Sequence, residues 1–251
     1  MYKRDKIFAT LLATIICLLF SFPAQAEMTA QEKTALKAKI LEVLNENPEL
    51  LITALHGLQQ RVEQEQEQAK LTTLQNQRKA LEQDPDSFVA GNPAGDITLV
   101  EFFDYRCGYC KKARPVVEKL VTEDGNIRLV MKEFPILGPN SETASKAAIA
   151  AMAQGKYQQF HDALMAAKGG LGRAQILQIA ADTGLDRDKL AEDMQKAYIA
   201  DIIRKNRQLA ARLEISGTPA FVIGDAIVPG VASLEQMQQL VAQARADCQS
   251  C

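Results

Sequence analysis

Residues 104–115, DYRCGYCKKARP, decide how the chain is read. Cys107 and Cys110 stand two residues apart, a spacing that serves a zinc site, a structural disulfide or a redox catalyst. The flanks narrow the choice. Upstream, ITLVEFFDY from Ile97 reads as a buried strand. Downstream, CGYCKKARPVVEKLV places Tyr109, Val116, Val117, Leu120 and Val121 at helical spacing, with a kink expected at Pro115. IRLVMKEF, Ile127 to Phe134, is a second strand, and strand, helix, strand in this order makes the two strands parallel through a right-handed crossover.

This context puts Cys107 at a helix N-terminus, where unpaired backbone N–H groups and the positive end of the helix dipole stabilise a thiolate. The thiolate is the attacking species in disulfide exchange. Cys110, one turn further in, is placed to resolve a mixed disulfide. Gly108 leaves the first sulfur uncovered, and Tyr109 adds no positive charge. Lys111, Lys112 and Arg114 add a smaller, screened contribution.

Composition excludes several other functions. The 29 basic and 31 acidic residues are well mixed and leave a net charge of -2, with no stripe for a nucleic acid. His56 and His161 lie far from either cysteine pair, so the ligand pattern of a zinc site is absent. No metal or cofactor is called for. Residues 1–26 read as a secretory signal peptide: Lys3, Arg4 and Lys6, an apolar run from Ile7 to Phe20, then Ala24-Gln25-Ala26 with cleavage after Ala26. That run, about 14 residues, is too short to span a bilayer. The expectation is a periplasmic protein that is not membrane-spanning. Export matters because disulfides persist in such a compartment.

Residues 27–86 are rich in Glu, Gln, Lys, Ala and Leu and read as a helical stalk. One helix carries Leu36, Ile40, Leu41, Val43 and Leu44 and stops at Asn47-Pro48; a second runs from about Glu49 to Gln83. Past Val62 it is so polar that only Leu71, Leu74 and Leu81 form a seam. The expectation is that it projects as a stalk, pairs with copies of itself as a short coiled coil, or is partly disordered. DPDSFVAGNPAGD marks a boundary, and residues 87–247 form the main domain. Residues 141–213 read as an insertion of about four helices broken at Gly155, Gly169-Gly170 and Gly184. SGTPAFVIGDAIVPG then gives a hairpin, and Ser233 with Gln236 caps the last helix. The fold class is α/β: a thioredoxin fold with an inserted helical domain, preceded by an oligomerising stalk.

Together CGYC and Gly217-Thr218-Pro219 resemble the thioredoxin-fold disulfide oxidoreductases, in which a cis-proline loop faces the cysteines. The helical insertion is similar to that of DsbA-type proteins. ILEVLNENPELLITALHGLQQR and LVEFFDYRCGYCKKA resemble the suppressor of copper sensitivity C (ScsC) and Com1-like members. The resemblance implies that Thr218 and Pro219 bind the backbone of a substrate or redox partner. It also implies that Glu101, six residues before Cys107, is a buried acid assisting proton transfer, with Lys132 as its partner. Gly108-Tyr109 and Thr218 depart from DsbA itself and resemble the isomerase side, whose members are oligomers. The resulting expectation is a thiol-disulfide isomerase or reductase acting on exported proteins, reset by a membrane redox partner and assembled as a homotrimer. The alternatives are a copper-tolerance protein holding Cu(I) at the same pair, since thiolates are soft ligands, and a monomeric dithiol oxidase. Residues 248–251 end in a second pair, Cys248 and Cys251, which the family does not explain.

Overall fold

The computed structural model describes residues 28–247. The expected signal peptide, residues 1–26, and the Cys248–Cys251 pair lie outside them. The chain divides into two compact units, 1–63 and 64–251.

In the first unit, helix α1 (Ala30–Glu46) opens on a capping box: Thr29 N donates to Glu32 Oε2 at 2.8 Å, and Glu32 N to Thr29 Oγ1 at 3.3 Å. Asn47 caps its end, and Pro48 starts helix α2 (Pro48–Glu82), where a missing N–H costs nothing. No residue of α1 is buried. Ile40, Leu41, Leu51, Leu55 and Leu58 are all exposed.

The second unit is built on a five-stranded sheet of order β1-β3-β2-β4-β5. Strand β2 (Ile97–Phe103) leads into helix α3 (Gly108–Asp124) and returns as the parallel strand β3 (Ile127–Glu133). The insertion follows: α4 (Pro139–Ala151), a 3-10 turn, α5 (Tyr157–Ala166), α6 (Arg173–Asp182), α7 (Arg187–Asp193) and α8 (Ala197–Arg212). These are five α-helices where about four were expected. The extra break, between α7 and α8, contains neither glycine nor proline, so no turn residue announces it. Strands β4 (Ala220–Ile223) and β5 (Ala226–Pro229) form the hairpin, and α9 (Leu234–Asp247) begins at the expected Ser233–Gln236 cap.

Strand β1 (Phe88–Gly91) falls in the stretch read as a boundary loop, and runs antiparallel to β3. Gly91 is indispensable to it. Its φ is +69°, and a Cβ there would stand 2.5 Å from the Ile127 carbonyl oxygen.

Alternation along the strands sorts the core into two faces. Leu99 and Phe103 of β2, Leu129 and Met131 of β3, and Phe221 and Ile223 of β4 face α3, α9 and the insertion. Val100, Phe102, Val130, Ala220 and Val222 face the other way. That second face is covered by Leu74 and Leu81 of α2 and by Leu209 and Leu213 from the end of α8. The expectation that the polar part of α2 has no home in its own domain is therefore corrected: its few leucines are spaced to meet one sheet face, and 1% of each of Leu74 and Leu81 is exposed.

Candidate functional site

The cysteine loop is set by Asp104, the first residue past β2. Its Oδ1 accepts Arg106 N at 2.8 Å, and its Oδ2 accepts Ile136 N at 2.8 Å and Leu137 N at 3.0 Å. One buried carboxylate thus ties this loop to the segment after β3. The Asp104 carbonyl accepts Cys107 N at 3.0 Å, which delivers Cys107 in an extended conformation to the N-cap of α3.

Both cysteines are free thiols. Cys107 Sγ accepts Cys110 N at 3.4 Å and donates to the Thr218 carbonyl at 3.2 Å. The Thr218-Pro219 peptide bond is cis. Pro219 O accepts Gly230 N at 2.8 Å, which fixes the loop against the end of β5. The two segments that the sequence reading singled out, 111 residues apart, thus meet at one sulfur. Cys107 retains a little exposure while Cys110 has none. Burial pushes the Cys110 thiol well up, so it holds its proton while its neighbour reacts.

Gly108 and Tyr109 occupy the rim. Beyond its chain neighbours and its own helix backbone, no atom lies within 4 Å of where a Gly108 side chain would start. Tyr109 is 64% exposed, with Lys112 Nζ 5.4 Å from its ring centroid. Lys111 and Arg114 point away from the sulfurs: Lys111 Nζ bonds the Ala167 carbonyl, and Arg114 reaches Glu118 Oε1 at 2.6 Å and the Asp162 carbonyl at 2.9 Å.

Glu101 lies on the α3 face of β2 and is buried. Burial raises its carboxyl from 4.5 to about 7, against the opposing charge of Arg114 and with help from Glu118. Lys132 is not its partner, which corrects the expected pair. In the β2–β3 register Glu101 stands opposite Met131, while Lys132 stands opposite Phe102 on the reverse face. There its ammonium donates to the Ala80 carbonyl at 2.8 Å and to Asp84 Oδ2 at 2.7 Å, tying β3 to the end of α2. Burial pulls Lys132 down, and Asp84 opposes that.

Sequence reasoning missed a buried cluster beside the cysteine loop, made by Tyr105, Glu133, Tyr157 and His161. A signal existed. Glu133 continues the Ile127, Leu129, Met131 alternation, so a carboxyl occupies a core position.

A reactive dithiol at a helix N-terminus, faced by a cis-proline loop across a mixed sheet with inserted helices, defines a thioredoxin-fold dithiol protein of the oxidoreductase kind. The chain belongs to the family of DSBA-like thioredoxin domains, whose profile matches residues 98–242, more than half its length. It is 46% identical to a thioredoxin-like oxidoreductase of Silicibacter pomeroyi DSS-3, over 68% of this chain and 99% of that one, with a TM-score of 0.67. Proteus mirabilis ScsC in a transitional conformation matches 88% of this chain and 100% of its own, at 28% identity and a TM-score of 0.65. Among curated proteins, a Na(+)/H(+) antiporter NhaA 1 of Salinispora arenicola is 34% identical over 164 residues, which are 64% of this chain and 25% of the antiporter. The chain spans about a quarter of the length of the first curated relatives it matches. Among the described residues no helix is long and apolar enough to cross a membrane.

Proposed function

We propose that the protein exchanges thiols and disulfides in exported proteins, with Cys107 as nucleophile and Cys110 as resolver. The observation that carries this reading is the 3.2 Å contact between Cys107 Sγ and the Thr218 carbonyl, which brings the cis-proline loop to the first sulfur. The Cys107 thiolate attacks one sulfur of a substrate disulfide, the S–S bond breaks, and the departing sulfur takes a proton. In the reductive direction Cys110 loses its proton and attacks Cys107 Sγ. The substrate leaves as a dithiol, and the two electrons it gains leave a Cys107–Cys110 disulfide. In isomerisation a different substrate thiol attacks the mixed disulfide first, forming a new substrate disulfide and releasing Cys107, and no net oxidation follows. Glu101, buried on the α3 face of β2, takes up and returns the resolving proton. Thr218 and Pro219 hold the substrate backbone in a short strand-like contact.

The isomerase direction is favoured by the first unit. Its apolar side chains, Ile40, Leu41, Leu51, Leu55 and Leu58 among them, are exposed on single helices, an arrangement that suits burial against other copies. A homotrimer would surround a misfolded substrate with several dithiols. The periplasm is the compartment this chemistry fits, with a membrane redox partner restoring the cysteines. A refolding assay on scrambled-disulfide substrate, with the protein pre-reduced and pre-oxidised, tests direction: activity only from the reduced form is expected, and activity only from the oxidised form would make it an oxidase.

A further inference from the structure

The missed cluster brings together side chains that the exchange chemistry does not use. Glu133 closes β3, and its Oε1 accepts Tyr157 OH at 2.7 Å and Tyr105 OH at 2.8 Å. Tyr105 OH also lies 3.0 Å from His161 Nδ1. Tyr105 belongs to the loop that delivers Cys107, two residues ahead of it, whereas Tyr157 and His161 come from α5 of the insertion. Glu133 Oε2 and Ser145 Oγ of α4 are buried and neither makes a well-formed hydrogen bond, though the Ser145 hydroxyl lies close enough to favour the Glu133 carboxylate. The remaining groups facing Glu133 are Asp104 from the cysteine loop and Asn206 of α8, whose amide donates to the Glu133 carbonyl at 3.1 Å.

Counting protons orders the cluster. A phenol has one, and that of Tyr105 goes to Glu133, so at the imidazole Tyr105 accepts and His161 Nδ1 carries the hydrogen. His161 is neutral, pushed down to about 3 by burial and by the charge of Arg114. The Ser145 hydroxyl and two phenolic donors favour a carboxylate at Glu133. The bare Oε2 and the charge of Asp104 oppose it, and burial decides the balance, raising Glu133 from 4.5 to about 7.

We propose that this cluster is a joint between the inserted helices and the Cys107 loop, and that Glu133 is a positioning residue whose protonated form keeps the joint closed. Loss of its proton leaves a buried charge with one unpartnered oxygen, which undocking of α5 relieves by admitting water. Exchange at Cys107 therefore responds to pH through a residue that never touches substrate. This rests on the reading of Cys107 as nucleophile.

The test uses the full chain. Backbone amide exchange of α5, corrected for its intrinsic pH dependence, and iodoacetamide alkylation of Cys107 are followed from about pH 6 to about pH 8. In the unsubstituted protein, protection of α5 falls as pH passes about 7, and the alkylation profile bends there. Glu133→Gln still accepts both phenols and flattens the fall and the bend; Glu101→Gln keeps the fall in α5. Tyr105→Phe serves if Glu133→Gln does not fold, and lowers α5 protection at about pH 6 to the level the unsubstituted protein reaches at about pH 8. A fall that survives Glu133→Gln, or protection unchanged by Tyr105→Phe, overturns the joint. If Cys107 resists alkylation while α5 still follows Glu133, the joint stands and the nucleophile reading fails.

Discussion

The two sulfurs differ in what surrounds them, and their substitutions should differ in kind. Cys107→Ser removes the attacking atom and is expected to abolish exchange. Cys110→Ser leaves the attack intact and strands the mixed disulfide, so substrate-linked protein should accumulate on a non-reducing gel. Glu101 has a pH signature with a definite sign. Its carboxyl is raised from 4.5 to about 7, so the native state favours its protonated form. The associated stability is complete below about pH 4.5 and is lost as pH rises through about 7, an effect on the order of 3 kcal/mol. Glu101→Gln should therefore be more stable than the unsubstituted protein at pH 8, with no gain at pH 4, in urea unfolding at the two pH values, while its exchange slows. The cysteines and Pro219 were legible because each is a rare residue type at a telling place, and the acid was legible only through the family resemblance. The partner of the acid was not. Whether Lys132 meets Glu101 depends on which way each strand's pleat faces, and the β2–β3 register that sets this is made by pairing at long range.

At the scale of elements, the regular periods were legible and the exceptions were physical. β1 is four residues flanked by prolines, at the edge of the sheet beside β3, so its own composition says loop. The end of α2 misled in the opposite sense, because Leu74 and Leu81 suffice to seat a helix whose other positions are solvated. Leu74→Ala should cost about 2–5 kcal/mol in urea unfolding. Leu55→Ala, at a side chain 62% exposed, should leave the unfolding of the second unit within about 0.5 kcal/mol of its starting value.

For the whole molecule, the division at residue 63 separates two kinds of apolar surface. The second unit encloses most of its own. The first leaves Ile40, Leu41, Leu55 and Leu58 facing outward. A chain beginning at Gln64 should keep dithiol exchange on small disulfides, lose isomerase activity on scrambled substrates, and run as a monomer in light scattering. Full-length protein that is also monomeric at micromolar concentration would remove the assembly from the proposal.

The space around Gly108 has a practical consequence. Apart from its two chain neighbours and the backbone of its own helix, no atom of the protein lies within 4 Å of where a side chain there would start, and the position opens a helix. A saturation library at 108 should therefore fold almost without exception, and differences in turnover among its members would read out the shape of whatever docks beside Cys107. One codon would then serve as a selectivity dial decoupled from foldability.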